Sequence, residues 1–208
     1  MSAITQGLKA IAGCTACSLH RNQCPLLDLA LAKRINVCWV GLSAKPDMGP
    51  RSRPLSEETR SGAIVADIER LFPWLKFYRT NLVKCPPLKE QTLRYPTRAE
   101  MLTCSLHLLT ELRLLKPDLV ILLGKQVIDF SSQMFGLEPQ AFGPRFSYRV
   151  QSVKSADTRF VGVHHPSFIN VYRRKRIDEY SRGVARAIAR ACEGAAALPL
   201  LDSPRQRS

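Results

Sequence analysis

At 208 residues, with 45% apolar and 23% charged side chains, the chain can bury a core and has ordinary globular composition, which excludes a disordered or fibrous polymer. Lysine and arginine outnumber acids 31 to 17, a formal charge of +14 that makes a polyanion, nucleic acid first, the expected partner and says nothing about fold. No apolar run approaches the roughly twenty residues of a membrane span and no secretory pattern opens the chain, so its seven cysteines predict thiols or metal ligands in a reducing, cytoplasmic compartment.

Cys14 and Cys17 form a C-x2-C knuckle near the start. The apolar run 35–41, ending in glycine, predicts a buried strand. Ile64, Val65, Ile68 and Leu71 then fall on one helical face, and 77–83 predicts the second strand. The clearest helix runs from Thr97 to about Leu115, with Thr97 and Glu100 as a capping-box pair and Lys116-Pro117 as its stop. Residues 118–124 are a continuous aliphatic strand suited to a sheet covered on both sides, and a short helix begins near Lys125. Strand-like segments follow at 146–153 and 159–163. After HHPSF a basic helix is predicted over 171–192, then a disordered tail over 193–208.

Strands alternating with helices predict one α/β domain over 1–192, a three-layer α/β/α sandwich acting as a monomer. In such folds the working loops lie beyond the carboxyl ends of the strands. Three distinctive segments fall there: 41–62, TNLVKCPPL and HHPSF. Cys85 and Cys104, with the knuckle, make a four-thiolate set that suits an iron–sulfur cluster or zinc equally well. Cys38 reads as a core residue within a strand, Cys24 as a competing ligand, and Cys192 as spare.

Taken in order, the cysteine pair, the glycine-ended first strand, TNLVKCPP, the downstream helical cysteine, LVILLGKQV and HPS resemble the iron–sulfur branch (families 4 and 5) of the uracil-DNA glycosylase superfamily over residues 10–190. The resemblance implies a mainly parallel, four-stranded sheet and a [4Fe–4S] cluster on Cys14, Cys17, Cys85 and Cys104, with zinc as the alternative. It also implies DNA as partner and hydrolysis of the N-glycosidic bond of a damaged, deaminated or modified base, uracil-type first, after base flipping.

The same resemblance gives His165 the role of donor to the departing base and Asn81 that of reading the base edge. Ser167 becomes a phosphate ligand, and Phe168 and Ile169 become wedges that fill the gap left by a flipped base. Arg173, Arg174, Lys175 and Arg176, with Tyr172, form a basic run for phosphates, and Arg51, Arg53 and Arg145 are weaker contacts. His164 reads as structural, and His20 and His107 lie in no motif.

The first loop departs from the family. Leu42 stands where its G-E-x-P-G-like segment carries an acid, Leu55 stands where a stacking phenylalanine is expected, and Leu42, Ser43 and Leu55 would face the base. Asp47 is the loop acid offered for catalysis, with Glu57 and Glu58 nearby; none of the three occupies the family position, and each also reads as a solvated loop acid. Two functions follow: a glycosylase that releases a good leaving group with little help from a carboxylate, or an inactive iron–sulfur protein that binds DNA within a repair or defence complex. A zinc-stabilised RNA-processing factor is the reading from another class.

Overall fold

The computed structural model describes residues 3–29, 34–46, 52–140, 142–143, 145–153 and 156–192; the predicted tail at 193–208 lies outside them. Helix α1 (Ala3–Ala12) precedes β1 (Val37–Ser43), α2 (Arg60–Glu69) and β2 (Phe77–Val83). A small hairpin, β3 (Leu88–Lys89) and β4 (Thr92–Leu93), leads to α3 (Arg98–Leu115), β5 (Leu119–Leu123) and α4 (Lys125–Phe135). The chain closes with β6 (Gln151–Val153), β7 (Ala156–Val163), α5 (Pro166–Tyr172) and α6 (Ile177–Cys192).

The central sheet has the order β2-β1-β5-β7-β6. The first four strands are parallel and β6 is antiparallel to β7, so the sheet has five strands where four were expected. Period-2 alternation sorts its side chains into two cores. Val37, Trp39, Leu119, Ile121, Val161 and Val163 pack on α2 and α6. Cys38, Val40, Val120, Leu122 and Phe160 pack on α3 and α4 from the other face. This two-sided burial is why β5 is aliphatic at every position.

Two elements differ from expectation. Residues 146–150 alternate like a strand but form a loop; Phe146 and Tyr148 are buried, and Phe146 lies so close to α6 that a Cβ at Gly183 would overlap its backbone. The predicted basic helix is two helices. Pro166 starts α5 earlier, at the first turn where a missing N–H costs nothing, and Arg173 (φ −139°) breaks the run before a 3-10 turn at Arg174–Arg176. The capping box at Thr97 and Glu100 forms as predicted, and Lys116 ends α3 in a left-handed conformation.

One buried charge pair joins the two sides of the site. Lys84 follows β2, Glu111 sits in the middle of α3, and neither side chain is exposed to solvent. Lys84 Nζ donates to Glu111 Oε2 (2.5 Å), Thr80 Oγ1 (2.8 Å) and the Asn81 carbonyl (2.5 Å), which uses all three ammonium donors. Glu111 Oε1 accepts from Tyr78 (2.7 Å) and Thr80 (3.0 Å). Burying two charges costs several kcal/mol each, and only such full satisfaction offsets it. Glu111→Ala is therefore expected to lower the unfolding free energy in urea by about 3–5 kcal/mol, because it leaves a buried ammonium without its counter-charge. The double replacement Lys84→Met with Glu111→Leu should lose much less.

Candidate active site

A cleft of about 810 Å³ opens beyond the carboxyl ends of β1, β2, β5 and β7, where an open α/β sheet places its ligands. It brings together Leu42, Ser43, Leu55, Asn81, His165, Ser167 and Phe168 from four separate stretches of chain. Asp47 and Arg51 lie outside the described residues.

Asn81 is the register partner of Gly41 on the neighbouring strand. A Cβ at Gly41 would overlap Asn81 Oδ1, so glycine there gives the amide its seat. The residue is 4% exposed and its carbonyl is pinned by Lys84, while its side-chain amide has no hydrogen-bond partner among the described residues. It is the free polar group on this wall.

Leu55 borders the same junction with left-handed backbone (φ 52°), unusual for a residue with a branched side chain. Its carbonyl accepts from Arg79 Nη1 (2.8 Å), and the same guanidinium is clamped by Glu69 at 3.0 and 2.6 Å. A Cβ at Gly62 would overlap the carbonyls of Leu55 and Ser56, so that glycine lets the loop lie on the first turn of α2. Leu55 thus forms a fixed aliphatic wall. Leu42 is half-buried against the second core and supplies no polar atom to the cleft.

His165 is the N-cap of α5, and its Nδ1 accepts the Ser167 backbone N–H at 3.1 Å. That bond fixes Nδ1 as an acceptor, so the Ser167 hydroxyl 2.7 Å away donates to it and the ring proton resides on Nε2. Burial, with the charge of Lys45, holds the imidazole pKa down at about 4, and the ring is neutral at physiological pH. The cleft therefore has an Nε2–H donor that does not titrate in the working range. Ser167, expected to bind phosphate, instead commits its hydroxyl and its N–H to orienting His165.

The other expected DNA contacts divide. Phe168 is exposed at the cleft rim, but Ile169 is fully buried in the first core and cannot serve as a wedge, because it falls on the inner side of α5. Arg176 is held by Glu179 (2.7 Å at both nitrogens) and lies 4.7 Å over the Phe146 ring, so it anchors α6 and does not reach out for phosphate. Arg174 and Lys175 are exposed and Arg173 is half-buried. Arg53 pairs with Glu57 while lining the cleft, and Arg145 is exposed. His164 turns to the aromatic core, where its Nδ1 meets the Tyr148 hydroxyl at 2.9 Å.

Lys45, Arg53, Arg94 and Lys125 line the cleft, and no carboxylate does among the described residues. Arg53, Arg94 and Lys125 are paired with Glu57, Glu100 and Asp129 just behind it, which leaves Lys45 as the lining cation with no ion-pair partner among the described residues. Leu93, Arg94 and Tyr95 were not anticipated from sequence. They reach the cleft on the β3–β4 hairpin, whose turn residues Glu90 and Gln91 both take positive φ without the Asn-Gly or Asp-Gly that marks such turns.

The four cysteines converge. The Cys85 thiol is pushed up to about 12, by burial first and then by the neighbouring charges of Cys104, Cys17, Cys14 and Cys24. Burial likewise raises Cys104, opposed by the Lys84 N–H that donates to its sulfur at 3.2 Å. The Ala16 N–H donates to Cys14 at 3.4 Å. Thiols that oppose one another's ionisation and receive backbone N–H groups fit a cationic cluster, which needs them as thiolates. No three His, Cys, Asp or Glu side chains among the described residues are drawn close enough to ligate a single ion. Cys24 is exposed beside the set, and Cys38 is fully buried in the core.

The family model described as the Uracil DNA glycosylase superfamily matches residues 27–188. The Type-4 uracil-DNA glycosylase of Archaeoglobus fulgidus is 24% identical over 191 residues, spanning 86% of this chain and 89% of its own. The Type-4 uracil-DNA glycosylase of Thermotoga maritima is 27% identical over 119 residues, spanning 56% of this chain and 59% of its own.

The depressed pKa of His165 has a consequence for stability. The unfolded chain, at its ordinary value of 6.5, takes up the proton before the folded chain does at about 4. Stability is therefore full above about pH 6.5 and falls as pH drops from there toward 4. Between pH 7 and pH 5 this residue should account for a loss of about 2 kcal/mol in urea unfolding, which His165→Gln removes.

Proposed function

Because this chain belongs to the uracil DNA glycosylase superfamily, we propose that it is a DNA glycosylase, a hydrolase that removes a deaminated or modified base, uracil first, from a nucleotide flipped into the cleft. The observation that carries this reading is the pairing, in one cleft, of an uncommitted Asn81 amide with a His165 ring held neutral and donating from Nε2. Asn81 would read the polar edge of the base, and Leu55 would pack against its face. Breakage of the C1′–N bond leaves a cationic sugar and an anionic base. The His165 Nε2–H then donates to the base oxygen where charge gathers, and the Lys45 ammonium adds a positive field. Water closes on C1′, its proton passes to the solution or the departing base, and the products are the free base and an abasic sugar.

Leu42 and the absence of a lining carboxylate among the described residues favour bases that leave readily as anions. Cys14, Cys17, Cys85 and Cys104 would hold a [4Fe–4S] cluster. Four thiolates would suit zinc as well, and the family to which the chain belongs favours the iron–sulfur group. A bound cluster would offset part of the thiolates' charge and tie the N-terminal knuckle to β2 and α3, and no step of base release passes through it.

The test is base release from oligonucleotides carrying uracil, hypoxanthine, xanthine or a bulky modified base. Release of at least one base, lowered about 10²–10³-fold by His165→Ala, is expected, as for loss of one preorganised donor. No release from any of them, with DNA binding retained, would sink the enzyme and leave a DNA-binding protein. Iron analysis and absorbance near 400 nm should report the cluster, and Cys85→Ala should lose both. Full iron and unchanged stability in that variant would remove Cys85 from the ligand set.

A further inference from the structure

The first histidine of HHPS, His164, is unused in the chemistry above and belongs to a series of rings that runs from the core to the rim of the cleft. Phe142 stacks on His164 with centroids 4.1 Å apart and planes 23° apart. His164 stacks on Phe168 at 5.9 Å and 18°, and Phe168 meets Tyr172 at 5.2 Å and 42°. Exposure rises along the series, from half-buried Phe142 and His164 to 39% at Phe168 and 74% at Tyr172. The inner end is braced by the Tyr148 hydroxyl on His164 Nδ1 and by the Tyr180 hydroxyl on the His164 carbonyl (both 2.9 Å). The outer end carries a large aromatic face in solvent, an arrangement that leaves room for one further ring.

The same short helix presents a second feature. Phe168 and Tyr172 are four residues apart and share one side of α5, and Arg174 opens the 3-10 turn beyond the break at Arg173. Asn170, Val171 and Arg174 line a depression of about 420 Å³ with Arg60 from the first turn of α2. Val171 lines both this depression and the main cleft. Arg176 is committed to Glu179, but neither Arg60 nor Arg174 has an ion-pair partner among the described residues. Two free guanidinium groups and an amide converging on one hollow suit a phosphate.

We propose that the Phe168–Tyr172 face and the Arg60–Asn170–Arg174 hollow form a subsite for one unpaired nucleotide next to the target, its base stacked on Tyr172 and its phosphate in the hollow. A base that continues the ring series must have left its own stack and partner, so the subsite selects single-stranded or locally melted DNA. Aromatic faces accept any base, which makes this preference one of strandedness and not of sequence. The inference rests on the reading that DNA crosses the cleft, and it does not require that a base be released.

The test uses the full-length protein and oligonucleotides carrying a tetrahydrofuran abasic analogue flanked on one side or the other by 2-aminopurine, so there is no base to remove. Single strands should bind at least tenfold more tightly than duplexes, with 2-aminopurine fluorescence quenched on one flank. Tyr172→Ala should relieve the quenching and weaken single-strand binding about tenfold, and Tyr172→Phe should retain both, as expected for stacking. Arg60→Ala with Arg174→Ala should reduce the slope of log K against log salt by about 0.7 for each phosphate no longer held. Equal affinity for single strands and duplexes, or quenching unchanged in Tyr172→Ala, overturns the subsite. Base release measured in parallel separates the two readings: quenching without release leaves the subsite standing, and release without quenching removes it.

Discussion

The site depends on one buried ion pair. Lys84 and Glu111 are both closed off from water, and their hydrogen bonds fix the end of β2 against the middle of α3. That single junction sets three functional positions. The Lys84 ammonium holds the Asn81 carbonyl, its backbone N–H points at the Cys104 sulfur, and Cys85 is the next residue. The Asn81 backbone and Cys104 thus meet one residue, Lys84, of a fully satisfied network, with Cys85 adjoining it. Such a network is costly to assemble and tolerates little displacement, which suits a site whose donors must be in place before the base arrives. Cys85 and Cys104 therefore lie directly behind the wall that carries Asn81.

The opposite wall is built by different means. His165 sits at the end of β7 and takes its orientation from two groups of Ser167, two residues on. Gly124 packs against it in left-handed backbone, and a Cβ there would press on His165 Cβ at 3.0 Å. Leu55 is kept in a strained conformation by Arg79 and Glu69. Strain of this kind persists only when the surroundings over-determine it, and here a bidentate ion pair and a glycine-lined contact with α2 do so. Each wall is rigid for its own local reason, and the sheet sets the distance between them.

What was legible in the sequence followed from local rules. The aliphatic run of β5, the Thr97–Glu100 box and the order of TNLVKCPP and HHPSF place the strands, the long helix and the two polar groups of the cleft. The rest depended on tertiary pairing. Lys84 and Glu111 are 27 residues apart, and each looks like an ordinary surface charge until the fold brings them together. Arg79 and Glu69 were hidden in the same way. Ser167 resembled a phosphate ligand because a hydroxyl at a helix start suits either role, and only the position of the His165 ring decides between them. The split of the basic helix turned on the backbone at Arg173, which helix periodicity cannot detect. The β3–β4 hairpin was missed because Glu90 and Gln91 take conformations that their side chains do not favour.

No carboxylate lines the cleft among the described residues, and the groups that do line it bear unequally on the two halves of a breaking glycosidic bond. A carboxylate near the sugar would stabilise the cationic half of a breaking glycosidic bond, whereas cations and a fixed N–H near the base stabilise the anionic half. With Lys45 and the His165 ring on its lining and no carboxylate there among the described residues, the cleft suits the second. A protonated imidazole would add a positive charge, but it would have to be desolvated beside Lys45. Burial and Lys45 keep His165 neutral, so its donor works without that cost. The sugar cation, lacking a protein counter-charge among the described residues, is left to the phosphates of the DNA itself. Those phosphates must then be held close and in register. Arg60 and Arg174, which have no ion-pair partner among the described residues, stand beside the cleft where such phosphates would run.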